Sequence, residues 1–66
     1  MELPHVCIDN WTFRDNRLWG AVRNHPRFEE GDLIMSSEVQ FIDPNGSFIQ
    51  TANTVYVLGV PEGMGT

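Results

Sequence analysis

The sequence predicts an all-β protein, either a small five-stranded antiparallel sheet or a partly open barrel of the SH3-like type. β-branched and aromatic residues dominate, and they stand in short runs that turn residues separate. No window has the apolar spacing of an amphipathic helix. Five short strands within about sixty residues must bend strongly to enclose one core, which favours a barrel or a curled sheet.

The first two strands are predicted over Val6–Phe13 and Arg17–Arg23. Between them, Asp15 and Asn16 tolerate the left-handed backbone that a tight hairpin requires. Gly20 lies in the middle of the second strand, where a glycine indicates a bend or the close approach of another backbone. The alternation predicts Leu18, Gly20 and Val22 on one face and Trp19 and Ala21 on the other.

The rest of the chain predicts a loop and three further strands. Pro26 and Gly31 place a loop over residues 24–32, and a third strand follows over Leu33–Ile42. The sequence "DPNG" at 43–46 is typical of a type I turn followed by a left-handed glycine. The last two strands are predicted over Ser47–Thr51 and Thr54–Leu58, with a kink at "TAN" between them.

The length predicts one β domain, over residues 1–59, and Pro61, Gly63 and Gly65 predict a flexible tail over 60–66. A domain this small buries little apolar surface and usually needs further stabilisation by a disulfide, a metal ion or self-association. Cys7 is the single cysteine, so no internal disulfide forms, and Cys7, His5 and His25 do not have the spacing of a zinc site. We therefore expect self-association into a homo-oligomer, with no cofactor and no metal.

The charge distribution restricts the partners. The net charge is −5, which disfavours nonspecific binding to nucleic acid. No apolar run is long enough to cross a membrane, and the N-terminus lacks the pattern of a signal peptide. We therefore expect a cytoplasmic protein without membrane or nucleic-acid partners. All four cations nevertheless lie between positions 14 and 27, and converging arginines form an anion site even in an acidic protein.

The segment 14–28 is the candidate site, because it holds every cation, a histidine and two aromatic rings. Arginine binds phosphates and carboxylates through two parallel hydrogen bonds, and aromatic rings stack on bases. In a second interpretation, each arginine forms a surface ion pair with a nearby acid and binds no ligand. Such pairs contribute little to stability. The predicted ligand-binding residues are Arg23, His25, Arg27, Trp19, Phe28, Arg14 and Arg17; the acids considered as partners are Asp15, Glu29, Glu30 and Asp32.

Catalysis is not predicted. Ser36 and Ser37 lack the flanking glycines of a nucleophile elbow, and Cys7 lies inside a predicted strand. The two tryptophans have two interpretations, core packing or anchoring of a protein contact. Trp11 and Tyr56 are the residues that we expect at an interface between chains.

Several short pieces together resemble small proteins of bacteriophages and prophages. The pieces are "NW" at 10–11, "LWGAV" at 18–22, "NHPRFEEGD" at 24–32, "SS" at 36–37 and "TANTVYVLG" at 51–59. No established activity attaches to this pattern. The matching positions are Trp11, His25, Pro26, Arg27, Phe28, Gly31, Ser37 and Tyr56.

The resemblance implies a protein that acts by stoichiometric binding in the cytoplasm of a bacterial host. The leading expectation is non-enzymatic sequestration of an anionic, nucleotide-like signalling ligand used in host defence. One alternative is an acidic inhibitor that blocks a basic host protein. Another is a small structural or assembly protein of a virion.

Overall fold

The computed structural model describes residues 3–63, which form one open, mixed sheet of six strands without a helix. The all-β class is confirmed, but the prediction of five strands in a purely antiparallel sheet is wrong. Along the sheet the strands follow the order β3-β2-β1-β6-β5-β4. The strands are β1 (His5–Arg14), β2 (Arg17–Arg23), β3 (Leu33–Met35), β4 (Val39–Ile42), β5 (Phe48–Thr51) and β6 (Val55–Leu58).

The first hairpin forms as the sequence predicts. Asp15 and Asn16 both have positive φ, 56° and 58°, and Arg14 stands opposite Arg17 at the end of the ladder. Two successive left-handed residues are the signature of the turn that matches the twist of paired strands. The alternation in β2 is also confirmed, because Leu18 and Val22 are fully buried while Trp19 on the other face is only half-buried.

Gly20 faces a bulge in β1. The register between β1 and β2 shifts between Asp9 and Thr12, and Asn10 takes a positive φ of 54° there. A Cβ on Gly20 would lie 2.9 Å from the Asp9 carbonyl oxygen and 3.0 Å from the Trp11 Cα. The close backbone approach that a glycine in mid-strand indicates is therefore present.

The predicted strand over Leu33–Ile42 is wrong as a single strand, because it divides at Ser36. The Ser36 amide donates to the Leu18 carbonyl (2.8 Å), and the Ser36 hydroxyl accepts from the Leu18 amide (2.9 Å). A side-chain oxygen thus replaces the carbonyl that a continuing strand would offer, as serine readily does. The chain leaves the β2 edge at this point and resumes as β4.

The same division explains the parallel pair in the sheet. β1 and β6 run parallel, with His5 opposite Val55 and Ile8 opposite Leu58. The link at residues 36–38 bends the chain without reversing it, so β4 runs in the same direction as β3 and β1. Two antiparallel pairings, β4 with β5 and β5 with β6, then leave β6 parallel to β1.

The sheet must curl, because the short link joins its two edge strands. Four Cα–Cα steps span about 15 Å at most, whereas the edges of a flat six-stranded sheet lie about 24 Å apart. The edge strand β4 also meets the tip of the first hairpin, where the Val39 amide donates to the Asn16 carbonyl (2.9 Å). The inner face of the curled sheet holds the core.

The predicted turn at 43–46 and the last two predicted strands agree closely with the structure. The Gly46 amide donates to the Asp43 carbonyl (2.8 Å), Gly46 has a φ of +76°, and Asp43 Oδ2 accepts from the Ser47 amide (3.0 Å). β5 and β6 follow within one residue of their predicted bounds. The core consists of Val6, Ile8, Leu18, Val22, Ile49 and Tyr56.

The predicted flexible tail, residues 60–66, is described only as far as Gly63. In that part the Val60 carbonyl accepts from the Asn10 amide (2.6 Å), and the Glu62 amide donates to the Trp11 carbonyl (2.8 Å). Residues 60–62 therefore lie along the bulge of β1. Residues 64–66 lie outside the described part of the chain, as do Met1 and Glu2.

Candidate ligand-binding site

A cavity of about 500 Å³ opens beside the β3 edge, between the 24–32 loop and the start of β6. Small-molecule sites in proteins occupy about 300–1,000 Å³, so this cavity has the size of a ligand site. Its lining combines loop, edge and core residues: Pro4, His25, Pro26, Arg27, Phe28, Ile34, Met35, Ser36, Ser37, Asn53, Thr54 and Tyr56.

The acids of the 24–32 loop shape its backbone. Asn24 has a positive φ of 61°, and its amide donates to Glu30 Oε1 (2.7 Å). The Glu29 amide donates to Asp32 Oδ2 (3.1 Å). These contacts fix both ends of the loop and hold the segment from His25 to Phe28 against the cavity.

His25 is held in one tautomer. Its Nδ1 lies 3.0 Å from the Arg27 amide, which donates to it. An imidazole nitrogen accepts only when it carries no proton, so the ring is neutral and presents Nε2–H as a donor. Burial, and secondly the Arg27 charge, lower the pKa of His25 below its usual value of 6.5. The Phe28 ring packs against the imidazole in a T-shaped contact with centroids 4.6 Å apart.

Arg27 has no ion pair with any described residue, although Glu29, Glu30 and Asp32 lie near it in the sequence. Within residues 3–63 the ion pair joins Arg23 Nε and Asp9 Oδ2 (2.6 Å). None of the described residues that line the cavity is acidic. In a chain of net charge −5, the cavity therefore contains one cation and no carboxylate.

The opposite wall supplies neutral polar groups. Ser37 and Asn53 are exposed, whereas Thr54 and Tyr56 are buried. Burial raises the pKa of Tyr56 above its usual value of 10.0, and a hydrogen bond with Thr54 partly opposes the shift. The phenol is therefore uncharged at neutral pH and adds no negative charge to the cavity.

The structure divides the predicted ligand-binding residues into two groups. His25, Arg27 and Phe28 meet at the large cavity. Arg14 and Trp19 line a separate recess of about 250 Å³, where the guanidinium carbon lies 5.0 Å from the centre of the Trp19 ring. Glu62 also lines that recess, so it lacks the acid-free character of the large cavity.

Arg17 and Arg23 make contacts within the chain. Arg17 Nη1 donates to the Ser36 carbonyl (3.0 Å), which ties β2 to the link between β3 and β4. Arg23 pairs with Asp9, whose Oδ1 also accepts from the Val60 amide (3.2 Å). The pairing of arginines with Asp15, Glu29, Glu30 or Asp32 is not seen among the described residues.

The two residues predicted at an interface lie at or near the core of the chain. Tyr56 is 4% exposed and belongs to the core cluster. Trp11 packs against that cluster, and its Nε1 donates to the Gly59 carbonyl (3.0 Å). Their role in contacts between chains stays a prediction.

Sequence reasoning missed part of the cavity wall. The sequence predicts only strand or kink positions for Ile34, Met35, Asn53 and Thr54. The polar pair "SS" at 36–37, which interrupts an apolar run, was the available signal that the chain turns there. Nothing in the sequence places the kink at 51–53 beside the 24–32 loop, because that contact depends on the curl of the sheet.

No family model, curated protein or solved structure matches the chain. Within residues 3–63 no group of three or more His, Cys, Asp or Glu side chains is arranged to hold a metal ion. The described part of the chain also contains no helix of the length and hydropathy needed to cross a membrane.

Proposed function

We propose that this protein binds a small anionic, nucleotide-like ligand in the large cavity and acts by holding it, without catalysis. The observation that carries the proposal is the acid-free lining of the cavity around Arg27 in a protein of net charge −5. Carboxylates near a bound phosphate would oppose binding, and here the Glu30 and Asp32 carboxylates of the 24–32 loop accept hydrogen bonds from backbone amides of that loop.

Each group of the 25–28 segment has a distinct task in this proposal. Arg27 offers a planar fork of donors that fits two phosphate oxygens. His25 donates one hydrogen bond from Nε2 while remaining neutral, and Phe28 offers an apolar ring against which a base can pack. Ser37 and Asn53 provide polar contacts that set the orientation of the ligand.

The biological part of the proposal rests on the sequence. The resemblance to small phage proteins supports sequestration of a host signalling nucleotide, a task that requires only affinity and a sufficient number of copies. The curled sheet, with its edges joined by a short link, is compatible with the partly open, SH3-like barrel that the sequence predicts. The sequestration role and the SH3-like barrel are both parts of the proposal.

The test is a thermal-shift and calorimetric titration with AMP, GMP, inorganic phosphate and adenosine. A ligand at 100 times its dissociation constant adds about 2.7 kcal/mol, which in a domain of this size raises Tm by on the order of 10 °C. We expect at least one nucleotide to raise Tm, and uncharged adenosine to do so less. If no probe acts, the proposal is wrong, and the acidic inhibitor of a basic host protein becomes the better explanation.

Two arginine variants provide a matched comparison. Arg27→Ala and Arg14→Ala remove the same charge, but only Arg27 lines the large cavity. Loss of a charge-assisted hydrogen bond predicts about a tenfold or larger loss of nucleotide affinity for Arg27→Ala. Arg14→Ala should retain affinity within about twofold. Equal losses in both variants would mean that the ligand responds to net charge and does not occupy this cavity.

A further inference from the structure

The strands β4, β5 and β6 contain no charged residue. Their sequences are VQFI, FIQT and VYVL. An antiparallel sheet with one face in the core normally presents polar and charged side chains on the other face. Charged residues make up 20% of the chain, so three adjacent strands without a charge are unusual. Such a surface indicates contact with another molecule in addition to water.

The outer face of these strands is an apolar row. Phe48 stands directly opposite Val57, and Val57 stands opposite Cys7 in the parallel pair. Phe41 extends the row to the edge strand, where its ring lies 5.9 Å from the ring of Phe48. Phe41 and Val57 are 48% and 41% exposed, so the row is open to solvent in the isolated chain.

We propose that this row, formed by Phe41, Phe48 and Val57, is the surface through which two copies of the chain pack face to face. A two-fold axis brings the same patch of each copy together, so every residue meets its own counterpart or a near neighbour. In an acidic protein, carboxylates in such a patch would repel their copies. The row contains none, which fits a second copy of the chain.

The charge distribution argues against a basic protein at this face. An acidic chain that binds a basic partner meets it with carboxylates, because complementary charge steers and orients the contact. The acids Glu29, Glu30 and Asp32 lie in the 24–32 loop, and Glu38 and Asp43 flank β4; none of these five acids lies within the three strands. Two uncharged faces, by contrast, do not repel each other at the contact itself. The remaining repulsion is the long-range one between two copies of net charge −5, and salt screens it.

Sedimentation of the intact protein from 10 µM to 1 mM, at 0.05 M and 0.5 M NaCl, tests the proposal. We expect a monomer–dimer equilibrium that shifts toward the dimer at higher salt. Val57→Glu should weaken the association at least tenfold. Leu33→Glu adds the same charge at a 78% exposed residue of β3 and should associate as the wild type does. A chain that stays monomeric at 1 mM, or a Leu33→Glu effect as large as that of Val57→Glu, overturns the proposal.

Cross-linking of the unmodified chain covers the case in which Val57→Glu fails to fold. Cys7 is the single cysteine and stands beside Val57, so a short bismaleimide can join cysteines only between chains. We expect a covalent dimer in the wild type and in Leu33→Glu at concentrations where the dimer is populated. A dimer detected by sedimentation that yields no Cys7–Cys7 product would place the interface elsewhere.

Discussion

The two halves of the sheet differ in the charge and the polarity of their exposed side chains. The half formed by β1, β2, β3 and the 24–32 loop carries all four arginines, lines most of the small recess and supplies one wall of the large cavity. The half formed by β4, β5 and β6 carries no charge within its strands and shows an apolar outer row. We call them the arginine half and the charge-free half.

In the two proposals above, this difference lets a chain of 66 residues combine two binding tasks. A protein this small has one core, which is built mainly from β1 and β2. Separating the charged side chains from the apolar row keeps a ligand's negative charge away from the surface where copies would meet. Under these proposals, the outer face of one half contributes to association while the loop of the other half remains accessible.

The largest effect is expected in the arginine half at Gly20. Gly20→Val places a branched side chain against backbone atoms of Asp9 and Trp11, which cannot move without undoing the bulge. Overpacking of this kind costs about 1–3 kcal/mol, and we expect the upper end because the neighbouring atoms are backbone. Urea unfolding measures the loss. Ala21→Val, on the half-buried outer face of the same strand, is the control and should change stability less. Equal losses in both variants would show that the bulge imposes no special constraint.

The next effect concerns the link that joins the two halves. Ser36 is 2% exposed, and its hydroxyl accepts from the Leu18 amide and donates to the Ser37 carbonyl (2.7 Å). Ser36→Ala leaves the Leu18 amide buried without this acceptor, which costs about 1–3 kcal/mol. Ser37→Ala is the matched control and should stay within about 0.5 kcal/mol, because the side chain is exposed. Chemical denaturation separates the two, and a tolerated Ser36→Ala would contradict this role.

Local signals in the sequence predicted the parts of the fold that depend on local chemistry. The Asp15–Asn16 turn, the turn at 43–46 and the alternation in β2 all follow from neighbouring residues. The division at Ser36 was missed because it depends on Leu18, which lies 18 positions earlier. The parallel pair β1–β6 was missed for the same reason, since its direction follows from that division.

The candidate site was predictable to a similar degree. The segment from His25 to Phe28 carries recognisable chemistry, and the structure brings its side chains together at one cavity. The wider set of arginines was grouped only because they are close in sequence. Strand alternation places Arg17 and Arg23 on the outer face of β2, where each finds a partner in the chain. Sequence proximity therefore overestimated how many cations converge.

A smaller effect is expected for the ion pair of the arginine half. Arg23 and Asp9 pair through one nitrogen, with side chains that are 53% and 33% exposed. Exposed pairs contribute about 0–1 kcal/mol, so Arg23→Ala should lower the stability by less than about 1 kcal/mol. The difference from the wild type should shrink in 1 M NaCl. Thermal unfolding at two salt concentrations measures it. A larger and salt-independent loss would mean that packing of the arginine stem, and not its charge, contributes the stability.

The smallest effect on stability is expected from His25, and it is the most informative about the cavity. The folded chain holds the pKa of His25 below 6.5 through burial and the Arg27 charge. The unfolded chain therefore binds the proton more readily, so stability is full above pH 6.5 and falls as the pH drops through the window below it. Protonation also removes the acceptor for the Arg27 amide, which loosens the loop at the cavity.

An NMR titration of the His25 Cε1–H signal measures this pKa directly. Arg27→Ala should raise the pKa only part of the way to 6.5, because burial is the larger of the two causes. Arg27→Lys keeps the positive charge and should leave the pKa low, which separates charge from loss of the side chain. If the folded protein titrates at or above 6.5, burial and the Arg27 charge do not favour the neutral ring, and His25 does not have the role proposed for it at the cavity. Below its pKa the ring is a second cation beside Arg27, and the ligand that the loop favours there would be more highly charged.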